Sequence, residues 1–183
     1  DKEDIDEHKE RILIPVSYER NVTELVNLST AIKSKRNKDG LFALNVIDNK
    51  VSDEKASKQA RKVLNMAVTT ASATDNKLND LLRYDLNVVN AIISVIKEQN
   101  ITDLVLGLHQ GKRATSSFLG NMTEGILGQS NVTTLVYRPM QPIATVKRHL
   151  VVVPEQAEKE VGFSMWVNKI WNVIQNTGGR VVL

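Results

Sequence analysis

The chain has 183 residues, 42% hydrophobic and 25% charged, enough apolar content for one full core with something left over and too much for a disordered tail. Its net charge is only +3 and aromatics are 4%, which excludes the strongly basic, aromatic-interleaved surface of a nucleic-acid reader. With no cysteine there are no disulfides, thiol nucleophiles or Cys-based zinc sites, which suits a reducing compartment, and no apolar run approaches the roughly 18 residues of a membrane span.

Residues 1–10 are mostly acidic, with Ile5 their one apolar side chain, and read as a solvated lead-in or linker. The chain starts at Asp1, without the basic-then-apolar order of a signal peptide, and upstream sequence is expected to have been removed. Residues 11–16, RILIPV, form a short apolar run of the kind that fills a strand buried on both faces. Asn21 and Glu24 then stand in capping-box relation. Val22, Leu25, Val26 and Ile32 recur at helical spacing up to a basic cluster of Lys33, Lys35, Arg36 and Lys38, which the helix dipole favours at a C-terminus.

Gly40 precedes a second strand over residues 41–46, and a longer helix follows with Ala60, Val63, Leu64, Ala67 and Ala71 on one stripe. Residues 78–86 give a third strand, and Asn87 caps a helix carrying Val89, Ile92, Ile93 and Ile96. The stretch 101–139 organises the whole. Its apolar strand stops at Gly107, a loop follows with Gly111 and Gly120, and a helix is expected from Asn121 with Glu124 as the capping-box carboxylate. Residues 132–137 supply a fifth strand. A helix start after a glycine-bounded turn is a ready anion site, and Lys112 and Arg113 add positive charge beside it.

Alternation of short apolar strands with helices argues a doubly wound parallel α/β sheet with helices on both faces. Ligands bind such sheets outside the carboxyl ends of the strands, where the strand order reverses. If the chain winds outward from strand one and returns to its other side, the reversal lies between strands one and four. The candidate residues for a phosphate-bearing ligand are then Val16, Ser17, Val46, Gly107, His109, Gly111, Lys112, Ser117, Gly120 and Asn121. No metal or catalytic set is expected. His8 and His149 are far from His109 in sequence, no Ser/His/Asp order with a nucleophile elbow exists, and Arg113 stands where a P-loop needs Ser or Thr.

Beyond residues 140–147, read as a linker, RHLVVV at 148–153 resembles RILIPV at 11–16, and a helix, Gly178, Gly179 and a short strand follow. Residues 148–183 are therefore expected to be the first β-α-β portion of a second copy. Two strands and a helix cannot make a core alone, so this piece should pack on the first domain or on another chain.

The first unit, residues 11–139, resembles the universal stress protein family, whose five-stranded parallel sheet has the order 3-2-1-4-5. ATP-binding members carry glycine, two residues, glycine, nine residues, glycine and a hydroxyl residue after strand four. Here Gly107 and Gly120 keep the outer spacing, Gln110 holds the middle position with Gly111 one place later, Asn121 replaces the hydroxyl, and Ser17 stands where an aspartate usually ends strand one. The resemblance implies ATP, ADP or AMP as ligand, on an eroded motif. ILIPVSYERNVTELVNL, LNVIDN, DLVLGLHQ with SSFLGNMTEGIL, and the second copy are similar to the cytoplasmic C-terminal region of bacterial monovalent cation:proton antiporter-2 proteins. That resemblance implies a non-catalytic regulatory domain on the cytoplasmic side of the inner membrane. Its partners would be the transmembrane antiporter domain of the same polypeptide and a second copy in a homodimer, with no nucleic acid. The rival readings are a free-standing stress protein that binds ATP or AMP and a nucleotide-processing α/β enzyme. An apolar fifth strand left as an open sheet edge favours self-association.

Overall fold

The structure, a computed structural model, describes residues 10–50, 53–108 and 120–182. The first unit runs β1 Ile12–Pro15, α1 Glu19–Ile32, β2 Leu41–Asp48, α2 Glu54–Ser72, β3 Leu78–Asp85, α3 Val88–Glu98, β4 Asp103–Gly107, α4 Asn121–Leu127 and β5 Thr133–Tyr137. All neighbouring strands pair in parallel, in the order β3-β2-β1-β4-β5, so the reversal lies between β1 and β4.

Successive side chains of a strand point to opposite faces, and here both faces are covered. Ile12 and Ile14 join Val22, Val26, Ile32, Val63 and Ala67 in a core beneath α1 and α2. Leu13 joins Phe42, Leu44, Ile92, Val95, Leu104 and Ile126 in a second core beneath α3 and α4. The continuous apolar runs of β1, β2 and β4 are what a strand with two dry faces needs.

Helix starts divide into those set locally and those set by tertiary contact. Asp53 caps α2 by accepting from the Ala56 N–H at 2.6 Å, and Asn87 caps α3 as expected, accepting from Val89 at 2.9 Å and Asn90 at 3.3 Å. The capping boxes read at Asn21 and Asn121 do not form. α1 begins two residues before Asn21, after Tyr18, and no side chain caps it. Glu19 occupies its first turn and reaches Gln59 at 2.7 Å and Lys62 at 3.0 Å on α2; these bonds, Gln59's first, hold its carboxyl below the usual range. α4 is capped by Gly120, whose φ of +82° swings the chain into the helix and whose carbonyl accepts from the Glu124 N–H at 3.1 Å. Asn121 is its first helical residue.

Residues 140–147 are not a free linker. Ile143–Thr145 forms a 3-10 turn, Ile143 is buried, and its N–H donates to Glu24 Oε2 of α1 at 3.0 Å. The C-terminal unit follows as β6 Arg148–Leu150, α5 Phe163–Thr177 and β7 Arg180–Val182, with β6 and β7 pairing in parallel. It rests on the first unit through α5 against α1. Asn172 Nδ2 donates to the Ile32 carbonyl at 2.9 Å and Asn176 Nδ2 to the Ala31 carbonyl at 2.7 Å, while Val173 packs on the first core. Lys169 is buried, with its ammonium 2.9 Å from Glu10 Oε1 and 3.2 Å from Asp103 Oδ1. Among the described residues no helix is long and apolar enough to cross a membrane.

Candidate functional site

β1 and β4 are parallel neighbours and end side by side where the strand order reverses. Between their carboxyl ends lies a small cavity of about 30 Å³, lined among others by Val16, Ser17, Leu25, Gly107 and Met122. That is room for about two water-sized groups. Tyr18, Val88 and Met122 in its wall belong to the starts of α1, α3 and α4, so the positive dipole ends of three helices converge on one spot. Among the described residues no lining side chain is charged.

Three of the candidate residues, Val16, Ser17 and Gly107, meet here. Val16 is buried and held on both backbone groups: its N–H donates to the Leu44 carbonyl at 2.8 Å, and its carbonyl accepts from Asn45 Nδ2 at 2.7 Å. Ser17 is exposed at the mouth. Gly107 serves close packing, since a Cβ there would stand 3.1 Å from Leu25 Cδ1. The next residue ties the end of β4 to β5, Leu108 N–H donating to the Tyr137 carbonyl at 2.8 Å.

Val46 reaches the same end of the sheet but packs on the α3 side and does not line the cavity. Gly120 and Asn121 are exposed at the start of α4, adjoining Met122. His109, Gly111, Lys112 and Ser117 lie outside the described residues, as do Gln110 and Arg113. Sequence reasoning missed Asn45, the amide that fixes the end of β1. Its signal was available, because an amide set in the strand run LFALNVID must find a partner when buried. Tyr18, which the topology sets beside Val16 and Ser17 opposite Gly107, lines the cavity while 63% exposed. Among the described residues no group of His, Asp or Glu is placed to hold a metal.

No family model and no curated protein matches the chain. Solved structures do. A universal stress protein from Archaeoglobus fulgidus DSM 4304 is 18% identical with a TM-score of 0.63, over 94% of this chain and 64% of that one. That span takes in residues of the C-terminal unit as well as the first. The universal stress protein from Archaeoglobus fulgidus in complex with dAMP is 14% identical with a TM-score of 0.54, over 69% of this chain and 96% of that one. A universal stress protein in complex with cAMP is 11% identical with a TM-score of 0.55, over 71% and 97%. The chain has the universal stress protein-like fold, with the strand order that the sequence resemblance implied.

Proposed function

We propose that this universal stress protein-like chain is a non-catalytic sensor that binds an adenine nucleotide at the carboxyl ends of β1 and β4. The observation that carries the reading is the convergence of three helix starts on one cavity at the strand-order reversal. The positive dipole ends, with the first turns of α1 and α4 uncapped by any side chain, favour a phosphate there. The dAMP and cAMP complexes of two similarly folded proteins support a nucleotide as ligand. ATP, ADP and AMP are the forms to test. Binding rather than turnover is the reading because the described lining residues supply backbone and hydroxyl groups and, among them, no charged acid–base pair.

The module would act on a monovalent cation/proton antiporter domain of the same polypeptide, from the cytoplasmic side of the inner membrane, by binding its ligand differently in two transporter states. Support comes from the stretches ILIPVSYERNVTELVNL and SSFLGNMTEGIL. The C-terminal unit would open a second repeat, which the coverage of the longer Archaeoglobus protein favours. Self-association would use the outer edge of β5, the last strand on its side of the sheet. A free-standing nucleotide-binding stress protein is the second reading, favoured by solved counterparts matched over 96% and 97% of their own length.

Calorimetric titration of the chain with ATP, ADP, AMP and cyclic dinucleotides, beside Gly120→Arg, tests the pocket. Saturable binding lost in the variant is expected. A folded chain that binds none of them would retire nucleotide sensing and leave a coupling and dimerisation module.

A further inference from the structure

The opposite end of the sheet carries a larger and differently built cavity. It measures about 450 Å³, within the range of small-molecule sites, and lies where β2 and β3 begin, between the end of α1, the turn after α2, the 3-10 turn and the end of α5. We propose that it binds a small phosphorylated metabolite that bridges the two units.

Charge is the first reason. Lys33, Lys35 and Lys38 line the cavity, and among the described residues no carboxylate does. Lys38 is paired with Asp75 at 3.1 Å. Lys33 is 2% exposed, and its ammonium donates only to the carbonyls of Asn37 and, at 3.4 Å, Ser34; among the described residues no carboxylate forms an ion pair with it. Glu10, whose charge acts on Lys33 without pairing with it, is committed to Lys169 at 2.9 Å and to the Ser34 N–H at 2.7 Å. A buried ammonium with no ion-paired carboxylate among the described residues is costly, and burial, then Lys38, lowers its pKa against the opposing charge of Glu10.

Unused hydrogen-bonding capacity is the second reason. Thr30 Oγ1 is buried without a partner in the wall, and Asn76, itself 7% exposed, leaves its Oδ1 unpartnered. Hydroxyls on the ligand would satisfy both. Among the described residues no aromatic ring lines the cavity to stack on a base. A phosphoryl group on a hydroxylated carbon skeleton fits better than a nucleoside.

The opposing effect is that α1, α2 and α5 all end here, and a helix C-terminus disfavours anions. That penalty is muted. The last carbonyls of α1 already accept from Asn172 and Asn176, and those of α2 accept from the N–H groups of residues 73–76. Each dipole end amounts to about half a charge that fades within a turn, whereas two of the three lysines have no carboxylate partner among the described residues. Because Asn176 and Thr177 of α5 share the wall with Thr30 and Lys33, a bound anion would fasten the C-terminal unit to the first.

The test is calorimetry and amide NMR with inorganic pyrophosphate and glucose 6-phosphate, against sodium chloride at matched ionic strength. Saturable binding is expected, at least tenfold weaker in Lys35→Glu, a surface change that leaves folding intact, and unchanged in Gly120→Arg. In the wild type the amide shifts should centre on Thr30, Lys35, Asn76 and Asn176. No saturable binding by either probe, equal stabilisation by chloride, binding indifferent to Lys35→Glu, or shifts centred elsewhere would each overturn the proposal.

Discussion

The two β-α-β units open on similar strands, RILIPV and RHLVVV, and those strands meet opposite fates. Ile12, Leu13 and Ile14 are wholly buried, whereas Leu150 is 74% and Val152 82% exposed. β1 lies between β2 and β4 with helices on both faces; β6 pairs with β7 alone among the described residues. Burial is conferred by neighbours, and a strand written for two dry faces stays half bare until its sheet is wide enough. The contact between the units differs from either interior. α5 turns Lys169, Asn172 and Asn176 toward the first unit, so the junction is fastened by charge and amides around Val173.

The harshest way to break the comparison is to remove the charge at the junction. Lys169→Ala strands Glu10 and Asp103 as unpaired, largely buried carboxylates, and urea denaturation should show a loss of about 3–5 kcal/mol. Next comes the contrast of interiors. Leu104→Ala in β4 should cost about 2–5 kcal/mol, whereas Trp171→Ala, at a side chain 57% exposed on α5, should cost under about 0.5 kcal/mol. Equal costs would mean that the C-terminal unit is as well packed as the first. Asn176→Ala should remove about 1 kcal/mol by freeing the Ala31 carbonyl, and proteolysis at 140–147 should quicken.

The smallest effect is a pH slope. Burial, then Lys38, lowers the Lys33 pKa from 10.5, so between the lowered value and 10.5 the folded state binds fewer protons than the unfolded state. Stability should therefore rise with pH through that window, and Lys33→Met should flatten the rise in urea midpoints.

Much of this was legible in the sequence, and what was not shares one cause. Apolar runs and the Asn87 cap are short-range signals, and they located the strands, the reversal between β1 and β4, and α3. Asn21 and Asn121 carried an equally local pattern that lost, to Glu19 bonding across to α2 and to the positive φ of Gly120. Of the candidate residues, Val16, Ser17 and Gly107 were placed together by topology alone, while Val46 lies at the same end of the sheet and packs on the α3 side. Lys169 and Asn176 were invisible because their partners, Asp103 and Ala31, lie far away in the chain. A lysine in an amphipathic helix looks like a solvated one until its carboxylates are in place.

The proposed nucleotide site lies where β1 and β4 end. Amide NMR during AMP titration tests it most directly. Saturable shifts are expected at Ser17, Leu108 and Met122 and should vanish in Gly120→Arg. Shifts confined to the lysine-lined cavity, or none at all from the folded chain, would contradict it.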